Sequence, residues 1–262
     1  MKLKQALLSI FFMILFWSCG PSQREMAVEK INVAKNMVIH GDTIGAITLL
    51  DSVKILFPKA EVQVEVAKKI VNEYYQQLID SRKMHLIRND SVLLSLESKF
   101  NKEKTEFDRY TQYTHKRQTF NRSWDRSFLQ VHLDERGELY LSSNYMGKEW
   151  LKHTGIRVYD GELQAKSDRV PLEDPLNHQS DFMDHKWEKI SYMNGKADSV
   201  IHFIAENPEL KIKCVFLGSR YYYILLEQPD IQAVVDALAL SEAIKLRAKL
   251  ENEIRVFESK VR

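Results

Sequence analysis

The sequence predicts an α+β protein in which helices precede and follow a region of antiparallel β-strands. Apolar residues recur at helical spacing over the first third of the chain, alternate along the middle, and return to helical spacing near the end. The predicted elements are an N-terminal helical hairpin and a long helix within residues 25–120, an antiparallel β-sheet or barrel-like domain over 125–228, and a long C-terminal helix over 229–262.

The first predicted element is a helical hairpin. Two apolar stripes at helical spacing flank the segment HGDT, in which Gly41 suits a helix end and Asp42 or Thr43 can cap the next helix. Pro58 closes the second helix, because proline cannot continue a helix and restricts the residue before it. A further helix near residues 62–80 is expected to cover the apolar face of the pair, which one hairpin cannot bury alone.

Residues 27–60 resemble one tetratricopeptide unit. Small residues stand where that family places them, Ala34 in the first helix and Ala46 in the second, with a Gly-Asp turn between the helices and Pro58 at the end. The resemblance implies a surface that binds a partner protein. A plain helical hairpin with the same spacing is the alternative.

Residues 81–118 contain neither glycine nor proline and predict a long exposed helix or a short coiled coil. A thin apolar stripe follows roughly heptad spacing, and charged residues fill the other faces. The triplet at 89–91, Asn-Asp-Ser, offers a point of interruption. Because the C-terminal helix carries a similar stripe, we expect the two helices to lie together in antiparallel orientation.

The centre of the chain predicts β-strands. Residues 129–133 and 139–141 alternate on either side of a glycine-containing turn and predict a hairpin. Asp160 and Gly161 mark a second turn. Further strands are expected near residues 186–193, 199–205, 210–217 and 221–226.

The N-terminus predicts export. Lys2 and Lys4 form a short basic head, and the apolar run that follows is shorter than the roughly 20 residues needed to span a bilayer as a helix. A charged head before a short apolar core is typical of an export signal.

The end of this run resembles a bacterial lipoprotein signal, because a small residue, Ser18, precedes Cys19. The resemblance implies that residues 1–18 are removed, that the Cys19 thiol receives a diacylglycerol and the new N-terminus an acyl chain, and that residues 19–24 form a tether. Several acyl chains on one cysteine hold a protein durably at a membrane. An ordinary signal peptide that is cut elsewhere is the alternative.

Composition excludes some functions. The chain has 38 basic and 36 acidic residues, and loss of two lysines with the signal brings the charge near zero, unlike the strongly basic patches of nucleic-acid-binding proteins. No glycine-rich phosphate loop or serine elbow is present, so no cofactor is expected and catalysis is unsupported. Cys214 lies in a strand-like pattern and is predicted to be a buried core residue; a reactive thiol is the alternative.

Two groups of side chains are candidate binding residues. Tyr221 and Tyr223 would share one face of a strand, where their rings, with Trp187 nearby, can grip a sugar ring or a peptide. Core packing or cross-strand pairing explains the tyrosines equally well. The second group consists of metal-capable side chains in an expected loop, for which ordinary loop polarity is the alternative. Its members are His178, Asp181, Asp184 and His185.

These features favour a non-catalytic lipoprotein of the cell envelope, anchored at the outer membrane through Cys19 and serving as scaffold or adaptor for a partner protein. One alternative is a lipoprotein whose β domain binds a glycan or another small ligand. A weaker alternative is a metal-dependent hydrolase that uses the second group of side chains.

Overall fold

The computed structural model describes residues 21–118, 126–182 and 184–261. It confirms the predicted α+β class, with N-terminal helices, two antiparallel sheets and a long C-terminal helix, and neither sheet closes into a barrel in the part described. The chain divides into two compact units, one formed by the residues up to Met84 together with those from Asn252 onward, the other by His85–Glu251.

The first unit begins with the predicted helical hairpin, formed by α1 (Gln23–Ile39) and α2 (Thr43–Asp51) and followed by the short helix α3 (Val53–Leu56). The turn uses the predicted signals: Gly41 adopts a φ of +88°, and the Asp42 carboxylate accepts a hydrogen bond of 2.8 Å from the N–H of Gly45. Small residues allow close packing of the helices, since Ala27, Ala34 and Ala46 are fully buried.

The long helix of the front half differs from the prediction. The covering helix expected at 62–80 and the first part of the long helix expected at 81–118 form one helix, α4 (Glu61–Glu97), because no glycine or proline interrupts it. The triplet at 89–91 does not break the helix, since the Asn89 side chain is buried and donates a hydrogen bond of 2.9 Å to the carbonyl of Ala243.

The prediction of helix from residue 98 to residue 118 is wrong. Strands β1 (Phe100–Glu103) and β2 (Gln112–His115) lie there and pair with each other. Phe100 and Tyr113 are buried with their ring centroids 6.2 Å apart, edge to face, and threonine and tyrosine in β2 favour strand. Tertiary burial of these rings therefore outweighs the local helical pattern.

The C-terminal helix, α6 (Gln228–Glu258), forms as predicted. It pairs with α4 in antiparallel orientation within each unit. In the first unit Lys83 Nζ lies 3.0 Å from Glu258 Oε1. In the second unit Asn89 Nδ2 donates a hydrogen bond of 2.9 Å to the carbonyl of Ala243, and Lys99 Nζ, two residues beyond the end of α4, lies 2.7 Å from Asp236 Oδ1. The predicted antiparallel pairing of the two helices is confirmed over the part of α4 that makes these contacts.

The second unit contains both sheets. Besides β1 and β2 its strands are β3 (Phe128–Asp134), β4 (Leu139–Gly147), β5 (Ile156–Asp160), β6 (Leu163–Lys166), β7 (Asn177–Phe182), β8 (His185–Tyr192), β9 (Lys213–Leu217) and β10 (Tyr221–Leu225). The six-stranded sheet has the order β1-β2-β3-β4-β8-β7, and the four-stranded sheet has the order β10-β9-β5-β6. The predicted hairpin β3–β4 is present, and the predicted turn at Asp160 and Gly161 joins β5 to β6.

Two further expectations for this unit are wrong. The strand predicted at 199–205 is a helix, α5 (Asp198–Glu206), whose buried Val200, Ile201 and Ile204 follow helical rather than alternating spacing. The loop expected around residues 177–185 is the hairpin β7–β8.

The core of the second unit lies between the inward faces of the sheets and the helices. It includes Phe216, Ile190 and Cys214, each with no exposed surface. The burial of Cys214 confirms the sequence prediction of a core cysteine, and it raises the pKa of the thiol. Among the described residues, no helix is both long and apolar enough to cross a membrane.

Candidate functional site

The outward face of the four-stranded sheet is the candidate site. Strand side chains alternate between faces, and residues directly opposite each other in neighbouring strands share a face. Ile156, Val158, Cys214 and Phe216 point into the core. The opposite face, called here the tyrosine–cation face, carries Arg157, Tyr159, Gln164, Lys166, Lys213, Val215, Leu217, Tyr221, Tyr223 and Leu225.

Three tyrosines form the aromatic part of this face. Tyr221 and Tyr223 are 65% and 46% exposed, and their ring centroids lie 5.7 Å apart at an interplanar angle of 46°. The Tyr221 hydroxyl lies 3.3 Å from that of Tyr159. This hydrogen bond raises the pKa of Tyr221, which keeps the phenol neutral at physiological pH. The rings thus present apolar edges and neutral hydroxyls to solvent.

Two cations lie against these rings. Lys213 Nζ is 5.4 Å from the ring centroid of Tyr223 and 5.9 Å from that of Tyr159, so it lies close to both rings. Arg157 Cζ is 5.0 Å from the Tyr159 ring. Such cation–π contacts hold the charged groups over the aromatic surface. The Nε atom of Arg157 is buried and has no hydrogen-bond acceptor among the described residues.

The strand positions of the tyrosine–cation face carry positive charge and no negative charge. Its ten outward strand positions contain three cationic side chains, Arg157, Lys166 and Lys213, and no carboxylate. Opposite charges within a few ångströms attract most strongly where apolar surface excludes water. The tyrosine–cation face is therefore complementary to an anionic ligand that also offers apolar groups.

The inward side of β10 anchors the strand. Tyr222 alternates with the two exposed tyrosines and points inward, where its hydroxyl donates a hydrogen bond of 2.9 Å to Ser127 Oγ. Its ring packs edge-on against Tyr145 and Phe216, at centroid distances of 4.9 and 5.6 Å. Packing of this partly buried ring against the core fixes the orientation of Tyr221 and Tyr223 on the opposite face.

The turn between β9 and β10 is attached to a neighbouring loop. Ser219 donates two hydrogen bonds to the carbonyl of Leu151, 2.7 Å long from its N–H and 3.0 Å from its hydroxyl. Gly218 passes so near this carbonyl that a Cβ on it would lie 2.3 Å from the oxygen. The position of the tyrosine strand therefore depends on the loop that contains Leu151.

A buried carboxylate holds that loop. Glu188 on β8 accepts hydrogen bonds of 2.6, 2.7 and 3.0 Å from the backbone N–H groups of Leu151, Lys152 and His153. Lys152 adopts a φ of +52°, an unusual value for a non-glycine residue, which lets consecutive N–H groups point at one anion. Burial alone would raise the pKa of Glu188, but these bonds and His153 together lower it, so the group is a carboxylate.

The network continues through three more polar groups. His153 Nδ1 donates to Glu188, its Nε2 lies 2.9 Å from Ser143 Oγ, and Ser143 Oγ lies 2.9 Å from the Tyr192 hydroxyl. The carboxylate–imidazole–hydroxyl order is that of a hydrolase triad. All four side chains are buried, with Ser143, His153 and Tyr192 fully so, and the network holds the loop in place.

Of the three aromatic residues that the sequence predicts to bind a ligand, two lie together in the structure. Tyr221 and Tyr223 share the tyrosine–cation face. Trp187 lies on β8 of the six-stranded sheet, and the ring contacts found in the described part of the chain do not join it to either tyrosine. Cys19 lies outside the described residues.

The predicted metal-binding side chains are spread over the β7–β8 hairpin. His178 and Asp181 are three positions apart in β7 and so point to opposite faces, and Asp181 forms an ion pair with Lys186. Asp184 lies in the turn with a φ of +58°, and His185 begins β8. Within the described ranges, no three His, Cys, Asp or Glu side chains come close enough to hold a metal ion.

Sequence reasoning missed Arg157, Tyr159 and Lys213. Their alternation within IRVYD and KCVFL was visible, but only the pairing of β5 with β9 places them beside Tyr223. Comparison of the chain with protein-family models, curated proteins and solved structures finds no match.

Proposed function

We propose that this chain is a non-catalytic lipoprotein of the cell envelope that holds a partner protein at the outer membrane through a lipid on Cys19. The tyrosine–cation face carries the proposal. It combines exposed aromatic rings, cations fixed over them and an absence of carboxylates at its outward strand positions. Tyrosine and arginine contribute disproportionately to protein–protein binding energy.

The partner surface that best fits this face is an extended acidic segment with alternating apolar side chains. β10 is an edge strand of its sheet, so its outer backbone groups are available for addition of another strand. A strand added there would place alternate side chains toward Tyr221, Tyr223 and Leu225. Lys213, on β9 beside β10, is the cation of the face closest to the carboxylates of such a segment, and Arg157 lies one strand further, on β5.

A glycan is the second candidate ligand, because two exposed tyrosines on one face are a common way to grip a sugar ring. The geometry favours the peptide. Lys213 and Arg157 lie over the Tyr223 and Tyr159 rings that a neutral sugar would stack on. Trp187, which would have extended an aromatic platform, belongs to the other sheet.

Site-specific photo-crosslinking in the native cells tests the proposal. A photoreactive phenylalanine analogue replaces Tyr223 in the full-length chain. The same analogue at Phe107, which is 90% exposed and lies between β1 and β2 of the six-stranded sheet, is the control. We expect a stoichiometric protein adduct from position 223 alone, mapping to an acidic segment of the partner. The same adducts from both positions, or a glycan adduct from 223, would refute it.

A further inference from the structure

The first unit contains a small cavity that is independent of the tyrosine–cation face. It has a volume of about 70 Å³, room for roughly five water molecules. It is bounded by α2 and α3, one stripe of α4 and the end of the chain. Its lining residues are Leu50, Asp51, Lys54, Val64, Lys68, Val71, Asn72, Tyr75 and Lys260.

Three lysines from separate segments reach this cavity. Lys54 belongs to α3, Lys68 to α4, and Lys260 to the residues after α6. None of the three forms an ion pair in the described part of the chain, and Asp51 is the single carboxylate among the lining residues. The lining therefore has an excess charge of about +2 at neutral pH.

Part of the lining is apolar. Leu50 and Val71 are buried, and Val64 is partly buried. Apolar lining displaces water and so strengthens the attraction between the lysines and an anion that enters the cavity. Lys54, Lys68 and Lys260 are all exposed, so an anion can reach them from solvent.

We propose that this cavity binds a phosphate group. Lysine is a common phosphate ligand because its ammonium acts as a compact charge with several donors. Lysines supplied by three separate segments suit a tetrahedral anion, which offers oxygens in several directions. The phosphate can be free inorganic phosphate or the head group of a phospholipid, and the two sources share this chemistry.

Calorimetric titration of the purified full-length chain with inorganic phosphate tests the site. Lys68→Gln removes one lining charge, and Lys69→Gln is the matched control, since Lys69 is the next residue of the same helix and its side chain is 80% exposed. We expect Lys68→Gln to weaken binding about tenfold and Lys69→Gln to leave it unchanged. Lys54→Gln should repeat the loss. Circular dichroism verifies that the variants fold.

A parallel titration with soluble short-chain phosphatidic acid distinguishes the sources. Equal binding of both ligands indicates a site for any phosphate, and binding of the lipid alone, sensitive to Lys68→Gln, indicates a head-group site. The proposal is overturned if neither ligand binds more tightly than chloride at matched ionic strength, or if the Lys68 and Lys69 variants behave alike.

Discussion

His153 Nδ1 donates a hydrogen bond of 2.7 Å to Glu188 Oε2, and neither side chain has any exposed surface. The same carboxylate accepts three backbone N–H groups from residues 151–153. Leu151 in turn accepts both hydrogen bonds from Ser219. One buried carboxylate therefore connects the six-stranded sheet to the turn that precedes the exposed tyrosines.

Glu188→Gln should destabilise the second unit by about 3 kcal/mol. A carboxamide cannot accept hydrogen bonds on both terminal atoms, so at least one N–H donor of the loop loses its partner. Urea denaturation should show a lower midpoint with an unchanged slope. Glu162→Gln, in the exposed turn between β5 and β6, is the control and should change stability by less than about 0.5 kcal/mol. Equal midpoints for the two variants would show that the network is not stabilising.

The stability of the second unit should fall as the pH is lowered from about 6.5 towards 3. Burial, with a smaller contribution from Lys189, lowers the pKa of His132 from 6.5 to about 3. Between these values the unfolded chain binds a proton that the folded chain does not, so acid favours unfolding. The lowered pKa of Glu188 acts in the same direction at the acid end. NMR titration should show no protonation of the His132 ring above about pH 4; a midpoint near 6.5 would contradict this.

The sequence predicted elements whose signals are local. The α1–α2 turn could be predicted because Gly41 and Asp42 act on the adjacent backbone. The β3–β4 hairpin could be predicted because the alternating apolar residues of both strands and the turn between them are contiguous in the sequence. The helix predicted over residues 98–118 is wrong because these residues form strands when Phe100 and Tyr113 are buried against distant parts of the chain. A strand was predicted in place of the helix Asp198–Glu206 because a short apolar run fits both helical and strand periodicity.

The candidate site shows the same division. The shared face of Tyr221 and Tyr223 follows from strand alternation alone. The cations over them come from β5 and β9, and Glu188 supports the turn from a different sheet. These juxtapositions depend on the order in which strands pair, which residue spacing along the chain does not encode.

Cys19→Ala should abolish lipidation of the chain. Without the thiol no diacylglycerol can be attached, so the acyl chains that anchor the protein at the membrane are lost. Cell fractionation should show the variant leaving the detergent-soluble membrane fraction for the aqueous fraction. Mass spectrometry of the wild-type N-terminus should show an acylated Cys19. An unmodified thiol, or a mature chain that starts elsewhere, would contradict the prediction.

Gly218→Ala should destabilise the second unit by about 2 kcal/mol. The added Cβ would lie 2.3 Å from the Leu151 carbonyl oxygen, and a backbone atom cannot move aside as a side chain can. Gly161→Ala is the comparison: its Cβ meets nothing within 4 Å, and only its φ of +58° costs stability, about 1 kcal/mol. Thermal unfolding of both variants checks this, and a Gly218 variant no less stable than the Gly161 variant would refute it.

The most direct test of the tyrosine–cation face uses the purified full-length chain and a fluorescent peptide of alternating glutamate and valine. A lysine–valine peptide is the charge control, and Lys189→Glu, on an exposed position of the six-stranded sheet, is the control for Lys213→Glu. The acidic peptide should bind, less tightly as salt increases, and Lys213→Glu alone should weaken it at least about tenfold. Equal binding of both peptides, or equal losses in the two variants, would contradict the proposed binding face.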